Sequence, residues 1–109
     1  MIARVWRGWT SPQQADAYEE FLREKVIPGI RKIKGHQAAY VLRLGGAEEV
    51  EFMVINLFES LDAVKAFAGE NYTVAVFEPE ARRLLSRVEP TANHYEVRVA
   101  SGAISDFES

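Results

Sequence analysis

Val50-Glu51-Phe52-Met53-Val54-Ile55-Asn56-Leu57-Phe58 is the stretch whose reading decides the fold. Seven of its nine residues are apolar, β-branched and aromatic types dominate, and it holds neither Gly nor Pro. It therefore reads as a β-strand covered on both faces, which belongs in the middle of a sheet. The chain has only two helical segments to lay over one face, so the other face calls for a second sheet. The expected assembly is a homodimer joined through its sheet faces.

Working outward, residues 36–44 alternate. His36, Ala38, Tyr40, Leu42 and Leu44 are expected on one face, with Gln37, Ala39, Val41 and Arg43 on the other, and Gly45-Gly46 turns the chain into the central strand. Residues 2–9 also read as a strand. Thr10-Ser11-Pro12 is a helix start, in which Ser11 or Thr10 caps free N–H groups and Pro12 takes the first helical position. From Gln13, Ala15, Tyr18, Leu22 and Val26 recur with the helical period while Asp16, Glu19, Glu20, Arg23 and Glu24 face water. Pro28 is expected to stop or kink this helix near Ile27, leaving residues 29–34 as an irregular turn.

Downstream, Ser60 is the expected cap of a short helix over Leu61, Val64, Phe67 and Ala68 that ends at Gly69. Residues 70–90 read as one or two short helical turns separated at Pro79, and residues 92–100 as the last strand. The order strand, helix, strand, strand, helix, strand is that of an α+β ferredoxin-like fold: a four-stranded antiparallel sheet, first and third strands central, helices on one face. One domain over residues 1–100 and a tail over 101–109 are expected, the tail lying free or across a partner.

At 109 residues the chain is long enough to bury about two thirds of its unfolded surface without disulfides or metal. Its net charge is -3 and its Lys and Arg residues are scattered among acids, so nucleic acid is not an expected partner. The absence of cysteine removes disulfides, thiol nucleophiles and thiolate metal sites, and a cytoplasmic setting fits. The first residues carry Arg4 and Arg7 and do not resemble a signal peptide. No run approaches the ~20 apolar residues of a membrane helix, so no membrane partner is expected.

Met1-Ile-Ala-Arg-Val-Trp6, Gly35 with Ala39-Tyr40-Val41-Leu42-Arg43, Ala66-Phe67-Ala68-Gly69-Glu70, Phe77-Glu-Pro-Glu80 and His94-Tyr95-Glu96-Val97 together resemble the antibiotic biosynthesis monooxygenase-like group of the dimeric α/β barrel superfamily. The resemblance implies two ferredoxin-like protomers whose sheets pack face to face into a barrel, with a pocket between each sheet and its own helices. Relatives in that group include cofactor-independent oxygenases of polyketide-type phenols and haem-degrading monooxygenases. The haem-degrading branch carries an Asn in the first strand and a His–Trp pair farther on; this chain has Arg4 and Trp6 in that strand and no Trp after Trp9. The resemblance therefore implies a cofactor-independent monooxygenase acting on a small aromatic or polyketide-like substrate. A non-catalytic ligand-binding or stress-related barrel and a haem-binding protein are the alternatives.

A cofactor-free oxygenase removes a proton from an electron-rich phenol, holds the anion beside O2, and stabilises developing charge in a water-poor pocket. His94 is the leading base, since imidazole titrates near neutrality; a structural His bonded to a loop carbonyl fits the same position. Trp6 and Trp9 could line an aromatic cleft or simply pack in a core. Arg4, Arg7 and Arg43 are candidate oxyanion donors, with a surface ion pair the plainer reading for Arg43. Asn71 and Tyr72 fall where a lip over the pocket would lie, and turn chemistry is their bland alternative. His36, Tyr40 and Phe67 complete the candidate substrate-binding set, although His36 also fits a half-exposed strand start and Tyr40 a core position. Two histidines this far apart make no metal motif, and no phosphate loop or nucleophile elbow is present. Neither metal nor cofactor is expected.

Overall fold

The 50–58 stretch is a strand with a neighbour on each side. The computed structural model describes residues 1–102. Its elements are β1 (Ile2–Thr10), α1 (Ala15–Phe21), a π-helical turn (Leu22–Val26), α2 (Ile27–Arg31), β2 (His36–Leu44), β3 (Val50–Phe58), α3 (Leu61–Ala68), α4 (Pro79–Leu84), β4 (Arg87–Val88) and β5 (Asn93–Glu96). β3 pairs antiparallel with β1 from Ile2↔Phe58 to Thr10↔Val50, and with β2 on its other side. The sheet runs β2-β3-β1, followed by β4 and β5, both on β1. This is the expected ferredoxin-like α+β arrangement with one change: the fourth position is shared by two short strands.

Chain geometry explains that division. β5 pairs with the start of β1, from Ile2↔Glu96 to Val5↔Asn93, while β4 pairs with its end at Gly8↔Val88 and Trp9↔Arg87. Between them stands Pro90, which has no N–H to give a continuous ladder. The last strand stops at Glu96 rather than residue 100 because β1 itself begins at Ile2. One further rung follows, from the Val97 N–H to the Met1 carbonyl at 3.0 Å.

Strand alternation puts Val50, Phe52, Val54, Asn56 and Phe58 under the helices, all buried. Tyr18, Phe21 and Leu22 pack on Phe52 and Val54, and Ile30, Ala63 and Val64 pack on Phe58. Phe52, Phe58 and Val64 are fully buried, and each such side chain contributes about 1.5–3 kcal/mol of transfer free energy. On the opposite face the cross-strand row Val5, Ile55, Tyr40 and the residues Met53, Leu42 and Tyr95 have no helix above them. There Leu42 is 48% and Tyr95 55% exposed.

Three local expectations are corrected. The first helix does not end at Pro28 but runs to Arg31 through a π-helical turn, in which the Ile27 N–H bonds the Leu22 carbonyl five residues back. That wider turn tolerates a missing N–H and moves the preceding carbonyls away from the proline ring. Second, a bulge between His36 and Ala38 turns His36 onto the helix face, opposite Ala38 and Tyr40, because Phe58 and Leu57 take His36 and Ala38 as successive partners. Third, residues 70–78 form no helix: a turn over residues 71–74 leads into an extended segment up to Pro79. Their backbone groups bond residues 90–92, with Ala75 N–H to Pro90 O at 2.9 Å and Ala92 N–H to Thr73 O at 2.8 Å. Pro79 opens α4 at the position where proline suits a helix.

At the first helix, Ser11 caps a preliminary turn by accepting from Gln14 N–H at 3.3 Å, and α1 starts three residues later than the sequence pattern suggests. Ser60 caps α3 as expected, accepting from Ala63 N–H. Among the described residues no helix is long and apolar enough to cross a membrane. The suggestion that the tail lies across a partner falls largely outside the described residues.

Candidate functional site

β1 and β3 form the floor of a cavity of about 80 Å³ roofed by the first helix, α3 and the extended segment before α4. Its wall includes Arg4, Trp6 and Asn56 from the floor, Tyr18 and Phe67 from the helices, and Phe77 from the roof. The lining is mostly apolar, with one buried cation and one buried amide.

Arg4 is only 4% exposed. Its guanidinium donates to the backbone carbonyls of Tyr72 and, at 3.2 Å, Val74, and to His94 Nε2 at 2.9 Å, and it lies over the Phe67 ring at 5.4 Å. An arginine has only donors, so His94 Nε2 must accept and the imidazole is neutral with its proton on Nδ1. Burial, and then the adjacent guanidinium, hold the His94 pKa below its ordinary value. Burial also lowers that of Arg4, although a guanidinium remains charged across the working pH range. The Tyr72 ring meets His94 edge-on at 5.1 Å, so the segment before α4 and β5 close around the arginine from one side.

Trp6 is fixed by two contacts. Its indole N–H donates to the Glu89 carbonyl at 2.7 Å, and the ring meets Phe77 edge-on at 5.5 Å. The next residue on that face is Gly8, where any Cβ would stand 2.4 Å from the indole Cη2. The absence of a side chain at Gly8 is what lets the indole lie down along the strand.

Asn56 is oriented by His36. Arg31 donates to His36 Nδ1 at 3.3 Å, so the ring proton sits on Nε2 and is donated to Asn56 Oδ1 at 2.8 Å. With its oxygen taken, Asn56 presents its amide NH2 as the donor group at the cavity wall. Burial is the main cause of a lowered His36 pKa, with the Asn56 bond opposing it and Arg31 adding to it. The Tyr18 phenol is pushed well above its usual range by burial and stays protonated.

Of the residues singled out from the sequence, Arg4, Trp6 and Phe67 line the cavity. His94 and the backbone of Tyr72 stand one shell behind, holding Arg4, and His36 stands behind Asn56. Arg7, Tyr40 and Asn71 are not brought to it. Arg7 is exposed, pairs with Glu89 and lies over Trp9 at 5.5 Å. Tyr40 faces away from the helices, and Asn71 is exposed in a turn whose carbonyl accepts from Val74 N–H. Arg43 pairs with Asp16 and Glu19, as its plainer reading had it. Among the described residues no three His, Asp or Glu side chains converge in a metal-binding group.

Sequence reasoning did not single out Asn56, Tyr18 or Phe77. A signal for Asn56 was available: it is a polar residue in register with Phe52, Val54 and Phe58 on the face that has to be buried, and such an amide needs a partner or a purpose. Phe77 stands in one of the stretches that carry the family resemblance, but nothing in the sequence marks it as a cavity residue; it reaches the site only because the segment before α4 folds back over the sheet.

No protein-family model matches the sequence, and neither does any curated protein. Solved structures do share the fold. A Deinococcus radiodurans protein provisionally named an antibiotic biosynthesis monooxygenase superposes with a TM-score of 0.66 at 14% identity, covering 94% of this chain and 97% of its own. A Nitrosomonas europaea protein of unknown function gives 0.68 at 24% identity over 92% and 91%. A Streptomyces coelicolor monooxygenase in complex with the ligand nanaomycin D gives 0.60 at 16% identity over 92% and 89%. The likeness to the antibiotic biosynthesis monooxygenase group expected from the sequence therefore holds at the level of the fold.

Proposed function

We propose that this protein is a homodimeric, cofactor-independent monooxygenase of a planar aromatic or polyketide-like compound, which binds in the cavity between the sheet and its helices. The observation that carries this reading is a buried guanidinium and a buried amide facing an otherwise apolar, aromatic-lined cavity. Apolar walls admit a flat ring, Trp6 and Phe77 supply faces and edges for it to pack on, and donors stabilise an oxyanion best where water is scarce. The shared fold with a ligand-bound monooxygenase is consistent with this.

For a methylene carbon activated by a neighbouring phenol, the reaction balances as one methylene group and one dioxygen giving one carbonyl group and one water. The carbon gives up four electrons, one oxygen atom enters the product, and the other leaves as water with the two hydrogens. Arg4 and Asn56 favour the phenolate, from which electrons pass to O2; the phenolic proton leaves to solvent at the cavity mouth. His94 is a positioning residue that holds Arg4, because its only lone-pair nitrogen is already occupied by that arginine. The test is oxygen uptake with anthrone- and quinol-type compounds. One O2 consumed per substrate supports the reading, and no uptake by a purified dimer that binds those compounds refutes it.

A second reading, a ligand-binding barrel without chemistry, is favoured by one observation: neither histidine lines the cavity, so no neutral base faces the substrate. It predicts binding of the same compounds with no oxygen consumed. In both readings the face carrying Val5, Tyr40, Leu42, Met53, Ile55 and Tyr95 is covered by the sheet of a second copy, since a protomer leaves these side chains partly wet.

A further inference from the structure

We propose that the cavity selects a monoanion: a planar aromatic carboxylate, with its negative group against Arg4 and Asn56 and its ring against Trp6 and Phe77. This deepens the reading above and rests on it.

The argument starts from charge. Among the described residues, the ion pairs join Arg7, Arg23, Arg43, Lys65, Arg87 and Arg98 to carboxylates, and none involves Arg4. Arg4 is also by far the most buried of the cations, and the other Lys and Arg side chains without an ion pair are exposed, so the least hydrated positive charge lacks a counter-ion. Its neighbours are two carbonyls, a neutral imidazole and an aromatic face. These satisfy hydrogen bonds but leave the charge uncompensated. Folding has already removed this guanidinium from water, so a ligand anion recovers electrostatic free energy without a new desolvation cost on the protein side. Three of the five guanidinium donors are occupied in the contacts above, which leaves two for an incoming oxygen pair. Asn56 adds a third donor, because His36 has fixed its oxygen the other way. The carboxylate nearest the site, Glu78, is exposed at the rim and makes no ion pair with Arg4.

The test compares 2-naphthoate with the uncharged isostere 2-naphthamide by calorimetric titration and Trp fluorescence on the full chain. The expected result is that the carboxylate binds at least about 10-fold more tightly, the usual advantage of a charge-assisted bond over a neutral one. In Arg4→Gln the order inverts. The carboxylate loses about 100-fold, since it would be buried unpaired, and the amide becomes the better ligand. The wild-type comparison needs no variant and so stands even if Arg4→Gln does not fold. Equal binding of the two compounds to the wild type overturns the charge inference and leaves the aromatic cavity intact. Binding of neither overturns both.

Discussion

Replacing Gly8 by Ala puts the wall of the cavity to a quantitative test. The new Cβ would lie 2.4 Å from Trp6 Cη2, 3.0 Å from Cζ2 and 3.1 Å from Cζ3. Comfortable carbon–carbon contact begins near 3.5 Å, so the far edge of the indole must retreat by about 1 Å. It is not free to do so: the ring is tethered by its N–H to Glu89 O and braced by Phe77. Either the ring tilts into the cavity and loses a bond worth about 1 kcal/mol net, or β1 bows away from β3. Overpacking of this kind costs about 1–3 kcal/mol, partly offset by the roughly 0.5–1 kcal/mol that Ala gains over Gly in a strand. A net loss of about 1–2 kcal/mol corresponds to a melting temperature lower by roughly 4–15 °C in a domain of this size. Thermal melts followed by circular dichroism measure the stability, and Trp emission reports the displaced ring. The cycle with Trp6→Phe isolates the clash, since the smaller ring lacks the offending edge and Gly8→Ala should then be neutral or stabilising. If Gly8→Ala alone raises the melting temperature and leaves ligand binding unchanged, the account of how Trp6 is placed is wrong.

Three further outcomes are expected. Gly35→Ala costs about 2–4 kcal/mol in urea unfolding, because φ is +93° and the added carbon would meet Ala63 Cβ at 2.7 Å; Gly69→Ala, at φ +85° with nothing within 4 Å, costs only about 1 kcal/mol. Stability falls as pH drops below 6.5, because His36 and His94 both have folded pKa values below that ordinary value. The sign follows from linkage: the unfolded chain binds these protons more readily, so the contribution is complete above 6.5 and is lost as pH passes down through the folded values. Urea midpoints between pH 7.5 and roughly 5 should show this slope, and the double variant His36→Gln, His94→Gln should flatten it, because Glu19 and Glu49 are held below 4.5 and titrate only in more acid solution. Ile55→Asp, in the middle of the uncovered sheet face, converts a sedimenting dimer into a folded monomer. A wild type that already sediments as a monomer at micromolar concentration contradicts the assembly.

The architecture is legible in the chain's local pattern. Apolar alternation in β3, caps at Ser60 and Gly69, and turn residues at Gly45-Gly46 each act within a few positions, and together they specify element types, strand order and the buried face. The sequence also picked out Arg4, Trp6 and Phe67, because a cation and a large ring in or beside an apolar sheet are conspicuous without coordinates. What each of them does is set by long-range packing. One inserted residue at the β2 bulge put His36 behind Asn56, a π-helical turn carried the first helix past Pro28, and a return pairing of residues 73–75 with 90–92 laid Phe77 over the cavity. These choices depend on partners far away in the chain, as does the pairing of Arg4 with His94 across 90 positions. Periodicity reports which way a side chain points; it does not report what stands opposite, and the charge state and role of a buried group are set by what stands opposite.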